Sequence, residues 1–169
     1  LEVDMMEKKL HKIVLLRALL IGFWGGIIWG IFYLIMFLFN MIEIDHLALL
    51  KNWISAEWVN KWYGHIIFLF ILSLLSIVVA IVYYFTLKKT KSWVVGGVFG
   101  LAVLFIVYFV LPILTTGFNS FVQYKLETHI AIYCLFFLYG VFVGYSISYD
   151  YEHMKHELKT EERKGEYQK

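Results

Sequence analysis

Cysteine occurs once in this chain, as Cys134, and proline once, as Pro112. One thiol closes no intrachain disulfide and supplies neither a zinc finger nor a CxxC redox pair. Cys134 lies inside an apolar run and reads as a small buried or lipid-facing side chain. Charged residues are also scarce, at 17%, where soluble domains carry about a quarter. The basic residues are spread over three short segments, so no nucleic-acid surface is expected. Asp, Glu and Lys are missing from the apolar cores, and the one arginine there, Arg17, lies near an end. Pumps and proton-coupled transporters use buried ionisable groups, and this lack argues against such an activity for the lone chain. Catalytic signatures are missing as well. There is no HExxH, and Ser73 and Ser76 have no His or Asp beside them in their helix. Both serines are expected to bond back to the carbonyls of the preceding turn. The acidic, His or Cys sets of intramembrane proteases and quinone–disulfide enzymes do not occur, and no cofactor is expected.

What is abundant is apolar and aromatic surface, 61% and 20% of 169 residues. That length suits one domain, and water cannot accommodate so much apolar surface on it, so a bilayer must. Four apolar stretches, Ile13–Phe39, Gly64–Leu87, Trp93–Leu114 and Thr128–Tyr149, each exceed the roughly 18 residues that span hydrocarbon. Without period-2 alternation they predict helices, since only helices or closed barrels satisfy their backbone in lipid. The fold class is therefore all-α, a four-helix transmembrane bundle. The first stretch is longer than a span requires, which implies tilt or an interfacial end, with Arg17 snorkelling to the headgroups. The first residue is Leu, so the sequence is expected to start inside a longer reading frame. Lys8, Lys9 and Lys12 before an apolar run mimic a signal peptide, but the run is too long and no small-x-small site follows, so a retained helix is expected.

Lysine and arginine set the orientation. The N-terminal segment (Lys8, Lys9, Lys12, Arg17), the connection Lys88–Lys91 and the tail (Lys155, Lys159, Arg163, Lys164, Lys169) hold twelve, against three in the other connections, Lys51, Lys61 and Lys125. Four spans place the three basic segments on one side, which predicts both termini cytoplasmic, with a charged tail over residues 152–169 that continues the fourth helix for a few turns and then frays. Pro112 is expected to end or kink the third span near the outer face.

The first outer connection, Asn40–Tyr63, carries Leu47, Leu50, Ile54 and Trp58 at helical spacing, with Trp53, Trp62 and Tyr63 adding aromatic bulk. This predicts one or two short amphipathic helices in the outer interface, with Asp45 and Ser55 as N-caps. The second outer connection, Thr115–Glu127, includes Gly117, Asn119 and Ser120. The outer face gathers Glu43 together with Asp45, His46, Glu57, Trp58, Trp62, His65, Glu127 and His129, and the last eight form the candidate site. Imidazole and carboxylate together suit a divalent metal, and two histidines at one depth suit a haem, but no tight spacing supports either, so the expected metal set is empty. If Asn40–Tyr63 is a lid, Trp58 and Trp62 face inward with His65 and Glu127 at its rim; if it is an anchor, the indoles face lipid. His153 and His156 in the tail read as a solvated face.

Helix association in lipid depends on close approach. Ala18, Gly22, Gly26 and Gly30 recur every four residues in the first span. Ser73, Ser76 and Ala80 line the second, Gly96 and Gly100 the third, and Gly140, Gly144 and Ser148 the fourth. These strips are expected to pack one bundle, with the sharper alternative that the first serves a partner chain. Trp24 and Trp29, in the middle of the first span, are expected to pack inside the bundle, the alternative being that they line a lipid groove.

Two segments carry a family resemblance: LYGVFVGYSISYDY at Leu138–Tyr151 and GFWGGIIWG at Gly22–Gly30. With the order of spans and the long first outer connection, they make most of the chain resemble YqhR, a family of small multipass membrane proteins of spore-forming Gram-positive bacteria. The resemblance implies a plasma-membrane location and a spore-related context, and it carries over no activity or site residues. Two functions remain: a non-enzymatic accessory or interaction protein that meets the bilayer and another membrane protein or a second copy of itself, or a binder of a lipid or apolar small molecule through an outward-facing pocket.

Overall fold

The computed structural model describes residues 2–51, 62–90, 92–114 and 124–166. Among them every regular element is a helix: α1 (Glu2–Leu38), α2 (His46–Lys51), α3 (Trp62–Leu87), α4 (Trp93–Leu114) and α5 (Leu126–Glu166). Four are long and apolar enough to cross a membrane, with spans at His11–Leu38, Trp62–Leu87, Trp93–Val110 and Leu126–Glu157. Large apolar side chains stand exposed all along them, among them Leu20, Ile31, Phe70, Val78, Phe105 and Leu138, as a lipid solvent permits. α5 has 41 residues, a rod of about 60 Å, roughly twice the hydrocarbon thickness. It therefore continues well past the bilayer, beyond the apolar stretch that ends at Tyr149, as expected for the tail. Pro112 lies in the last turn of α4, which ends two residues later at Leu114.

α1 packs on α3 and α5, and α5 also carries α4 and touches α3. The small-residue strips make these seams. A Cβ placed on Gly22 would lie 2.8 Å from the Ala80 Cβ, and one on Gly26 2.5 Å from the Ser73 Cα. Gly30 meets Leu69 and Leu72. The α1 strip is thus filled by α3 of the same chain. Gly96 and Gly100 meet Gly140 and Gly144 across the α4–α5 seam, glycine against glycine. Ala18 is buried with Val14, Ala80, Tyr83, Val143 and Ile147 in the largest cluster.

Hydrogen bonds tie the seams. Ser73 donates to Leu69 O at 2.9 Å within its own helix. Ser76 departs from that expectation: its hydroxyl donates across to Gly22 O at 2.5 Å. Its single proton being used there, Ser76 Oγ accepts from the Tyr139 hydroxyl at 2.7 Å, so one serine joins α1, α3 and α5. Trp29 donates its indole N–H to Leu135 O at 2.9 Å and stacks on Phe142, whereas Trp24 is 57% exposed and faces outward. Arg17 pairs with Asp150 at 3.5 Å and stays half exposed, so a carboxylate on α5 shares its charge with the headgroup region.

Candidate functional site

The end of the bundle away from the chain termini is closed by the segment that follows α1. Asn40 has a φ of 57°, the left-handed conformation that asparagine tolerates better than most residues. Asn40 N–H donates to Phe37 O at 3.0 Å and Met41 N–H to Met36 O at 2.9 Å. This is the bonding of a Schellman cap, and it turns the chain back over the bundle. Ile42 and Ile44 then drop into a cluster with Leu104, Ala131 and Ile132. Between them Glu43 reaches out to Lys125, with an ion pair of 2.7 Å, while its own N–H bonds Thr128 Oγ1 at 3.3 Å. The pairing lowers the Glu43 pKa and raises that of Lys125, in both cases mainly through the bond between the two side chains.

Asp45 Oδ1 accepts from Leu47 N–H at 2.8 Å, the N-cap of α2. The cap sets His46 against α1 and α3. His46 is fully buried: its ring meets Tyr33 and Phe37 of α1 and Phe68 of α3 at centroid distances of 5.9, 4.9 and 4.7 Å. His46 Nε2 lies 2.7 Å from His65 Nδ1. His46 Nδ1 is buried without a hydrogen-bond partner. Burial is the first cause, and His65 the second, that push the His46 pKa down to about 4, against an opposing pull from Asp45. Tyr33 donates to Ile44 O at 2.7 Å and packs on both apolar clusters of this end. Leu50 completes the seat. Residues 41–51 form a strap that follows the turn at Asn40 and is held by the Glu43–Lys125 pair, the Tyr33–Ile44 bond and the buried His46.

The outer residues expected to form one site are therefore divided. His46 and His65 come together, and Asp45 caps the helix that begins with His46. His129 contacts a different residue, its Nδ1 lying 3.4 Å from the Tyr108 hydroxyl. Glu127 is exposed in the first turn of α5. Trp62 is 62% exposed, its ring tilted against that of Tyr63 at a centroid distance of 4.0 Å. Glu57, Trp58 and Ser55 lie outside the described residues, as do Trp53, Ile54, Gly117, Asn119 and Ser120. No group of three or more His, Cys, Asp or Glu that could hold a metal occurs among the described residues. The sequence reading singled out His46 and His65 but missed their pairing and the roles of Tyr33, Phe37 and Phe68. Those aromatics look like ordinary span residues, and only the Schellman turn brings α2 back onto them.

The opposite end carries a second cluster. The His11 ring nitrogen Nδ1 lies 2.8 Å from the Tyr84 hydroxyl and 3.3 Å from Lys88 Nζ. Lys88 sits 4.2 Å above the Tyr84 ring; burial and then Lys89 lower its pKa. Beyond it, Tyr145, Ser148, Tyr149, Glu152, His153 and His156 of α5 line an open groove of about 450 Å³. Both tail histidines are exposed and pair with acids one turn away, His153 with Glu157 and His156 with Glu152.

Residues 2–162 match the family described as "Conserved membrane protein YqhR". The chain is 31% identical over 141 residues to "Uncharacterized protein YqhR" of Bacillus subtilis (strain 168), covering 83% of this chain and 79% of that protein. No solved structure matches. The chain belongs to the YqhR family of conserved membrane proteins.

Proposed function

We propose that this YqhR-family protein is a non-enzymatic interaction protein of the plasma membrane, with both termini in the cytoplasm, which meets its partner through the projecting part of α5. The observation that carries this is the length of α5. About 17 residues of it follow Tyr149, a helical arm of about 25 Å. Its base is braced: Tyr151 and Met154 pack on the Val14 cluster of α1, and Asp150 holds Arg17. A braced base with the exposed charged side chains of Lys155 and Glu157 beyond it presents recognition groups at little ordering cost. The inward packing of the glycine strips supports the same reading, because it makes the bundle a self-contained platform.

Affinity capture from membranes in mild detergent tests it. The full chain is expected to retain a membrane or cytoplasmic protein that a variant lacking residues 158–169 loses, at unchanged thermal stability. Equal capture by both would remove α5 from the contact. The groove lined by Tyr145, Tyr149 and His156 favours a second reading, binding of a lipid or apolar small molecule, at the end opposite to the one expected from sequence. Lipid co-purifying with the full chain in stoichiometric amount, and lost on Tyr149→Ala, would select it.

A further inference from the structure

Two imidazoles face each other at 2.7 Å in an aromatic seat, and one has a buried nitrogen with nothing to bond. Counting protons assigns their state. A buried N–H without an acceptor is rarer in proteins than an acceptor left short, so His46 Nδ1 carries the lone pair. His46 Nε2–H therefore donates to His65 Nδ1, and His65 holds its other proton on Nε2. Adding a proton to this pair has no comfortable outcome. On His46 Nδ1 it creates a buried, charged N–H with no acceptor. On His65 Nδ1 it sets two N–H groups against each other. The bond then survives only if His46 moves its proton to Nδ1, where it again has no acceptor. The groups facing the ring are His65 and Phe68 from α3, Tyr33 and Phe37 from α1, and Asp45 from the turn before α2. Tyr33 spends its proton on Ile44 O and Asp45 bonds Leu47 N–H, and neither bonds Nδ1.

We propose that the His46–His65 pair is a proton-operated latch: acid on the α2 side of the membrane charges the pair and releases α2 from α1 and α3. The sign follows from linkage. The docked imidazole holds its proton less tightly than a free one, so docking is fully favoured above the free value of about 6.5 and weakens as pH falls toward the docked value. With His46 at about 4 when docked, the docking equilibrium falls about 20-fold between pH 7 and pH 5.

Hydrogen exchange on the full chain in lipid nanodiscs reads this directly. The amides of His46–Lys51, corrected for intrinsic exchange, are expected to lose about 20-fold in protection from pH 7 to pH 5. His46→Phe fills the same aromatic seat without titrating and is expected to hold its protection within about twofold. Unchanged protection in the wild type, or the same loss in His46→Phe, would overturn the latch. Nitrogen-15 histidine spectra of the wild type need no variant. They are expected to show His46 neutral and protonated on Nε2 at pH 7, gaining its second proton over the interval in which α2 opens. A His46 that becomes charged while α2 stays protected, or that carries its neutral proton on Nδ1, would overturn it equally.

Discussion

At the scale of single residues, the glycines of α1 do different work although they are neighbours. Gly26 faces α3 with room for hydrogen only, a Cβ there falling 2.5 Å from the Ser73 Cα. Gly25 faces α5, where an added Cβ would meet Phe142 and Val143 at an ordinary 3.5 Å. Gly26→Ala is expected to cost about 1–3 kcal/mol, because two backbones must separate. Gly25→Ala is expected to be neutral or to stabilise by about 0.5 kcal/mol through the lost freedom of glycine in the unfolded chain. Unfolding in mixed micelles compares them, and equal stability would mean that α1 and α3 are not in backbone contact. Ser76 makes a second case. Ser76→Ala removes the bond to Gly22 O and leaves the Tyr139 hydroxyl without its acceptor. A loss of about 1–2 kcal/mol is expected, since single interhelical bonds in membranes average about 0.6 and reach about 1.7. The same measurement on Ser73→Ala, whose bond stays within its own helix, should give much less.

At the scale of elements, the strap is held by two ties with different acid limits. Glu43 has its pKa depressed by Lys125. Its contribution is therefore fully present above the ordinary carboxylate value and is lost only as pH falls through the lower, paired value. The His46 tie weakens earlier, below the ordinary imidazole value. Glu43→Gln is thus expected to loosen Ile42–Asp45 at neutral pH, read as faster amide exchange there, and to leave the pH 7 to pH 5 response of α2 in place. A Glu43→Gln variant with no such response would mean that the carboxylate, and not the imidazole pair, governs α2. Both partners of the ion pair touch water, so raised salt should mimic Glu43→Gln and should not mimic acid.

At the scale of the whole molecule, the arrangement across the membrane follows from charge. Twelve basic residues at the terminal end against three at the other predict that a cysteine at Lys89 is unreachable by an impermeant reagent in intact cells. Cysteines at Lys51 and Lys125 are expected to react, each in a Cys134→Ser background because Cys134 is exposed. Labelling of position 89 from outside would invert the assignment and place the strap, with its latch, in the cytoplasm. The helix bundle itself is indifferent to the outcome, since its seams are glycine contacts, hydrogen bonds and the Arg17–Asp150 pair, which carry no net charge.

The number of spans, their helical character and the charge asymmetry were legible in the amino-acid sequence, because length and hydropathy are local quantities and the bilayer admits few alternatives. The four-residue spacing of Ala18, Gly22, Gly26 and Gly30 was legible too, as a face; which helix fills it was not, since any small-residue strip fits any other. Tertiary structure made that choice, pairing α1 with the Ser73–Ala80 face of α3 and reserving Gly140 and Gly144 for α4. It also turned Ser76 away from its own helix, because Gly22 leaves its carbonyl within reach. The site divided along the same line. Asp45 as a cap depends on its immediate neighbours and could be read directly, whereas the meeting of His46 with His65 depends on a left-handed turn at Asn40. That turn carries α2 onto two helices, one of them beginning sixteen residues later in the chain.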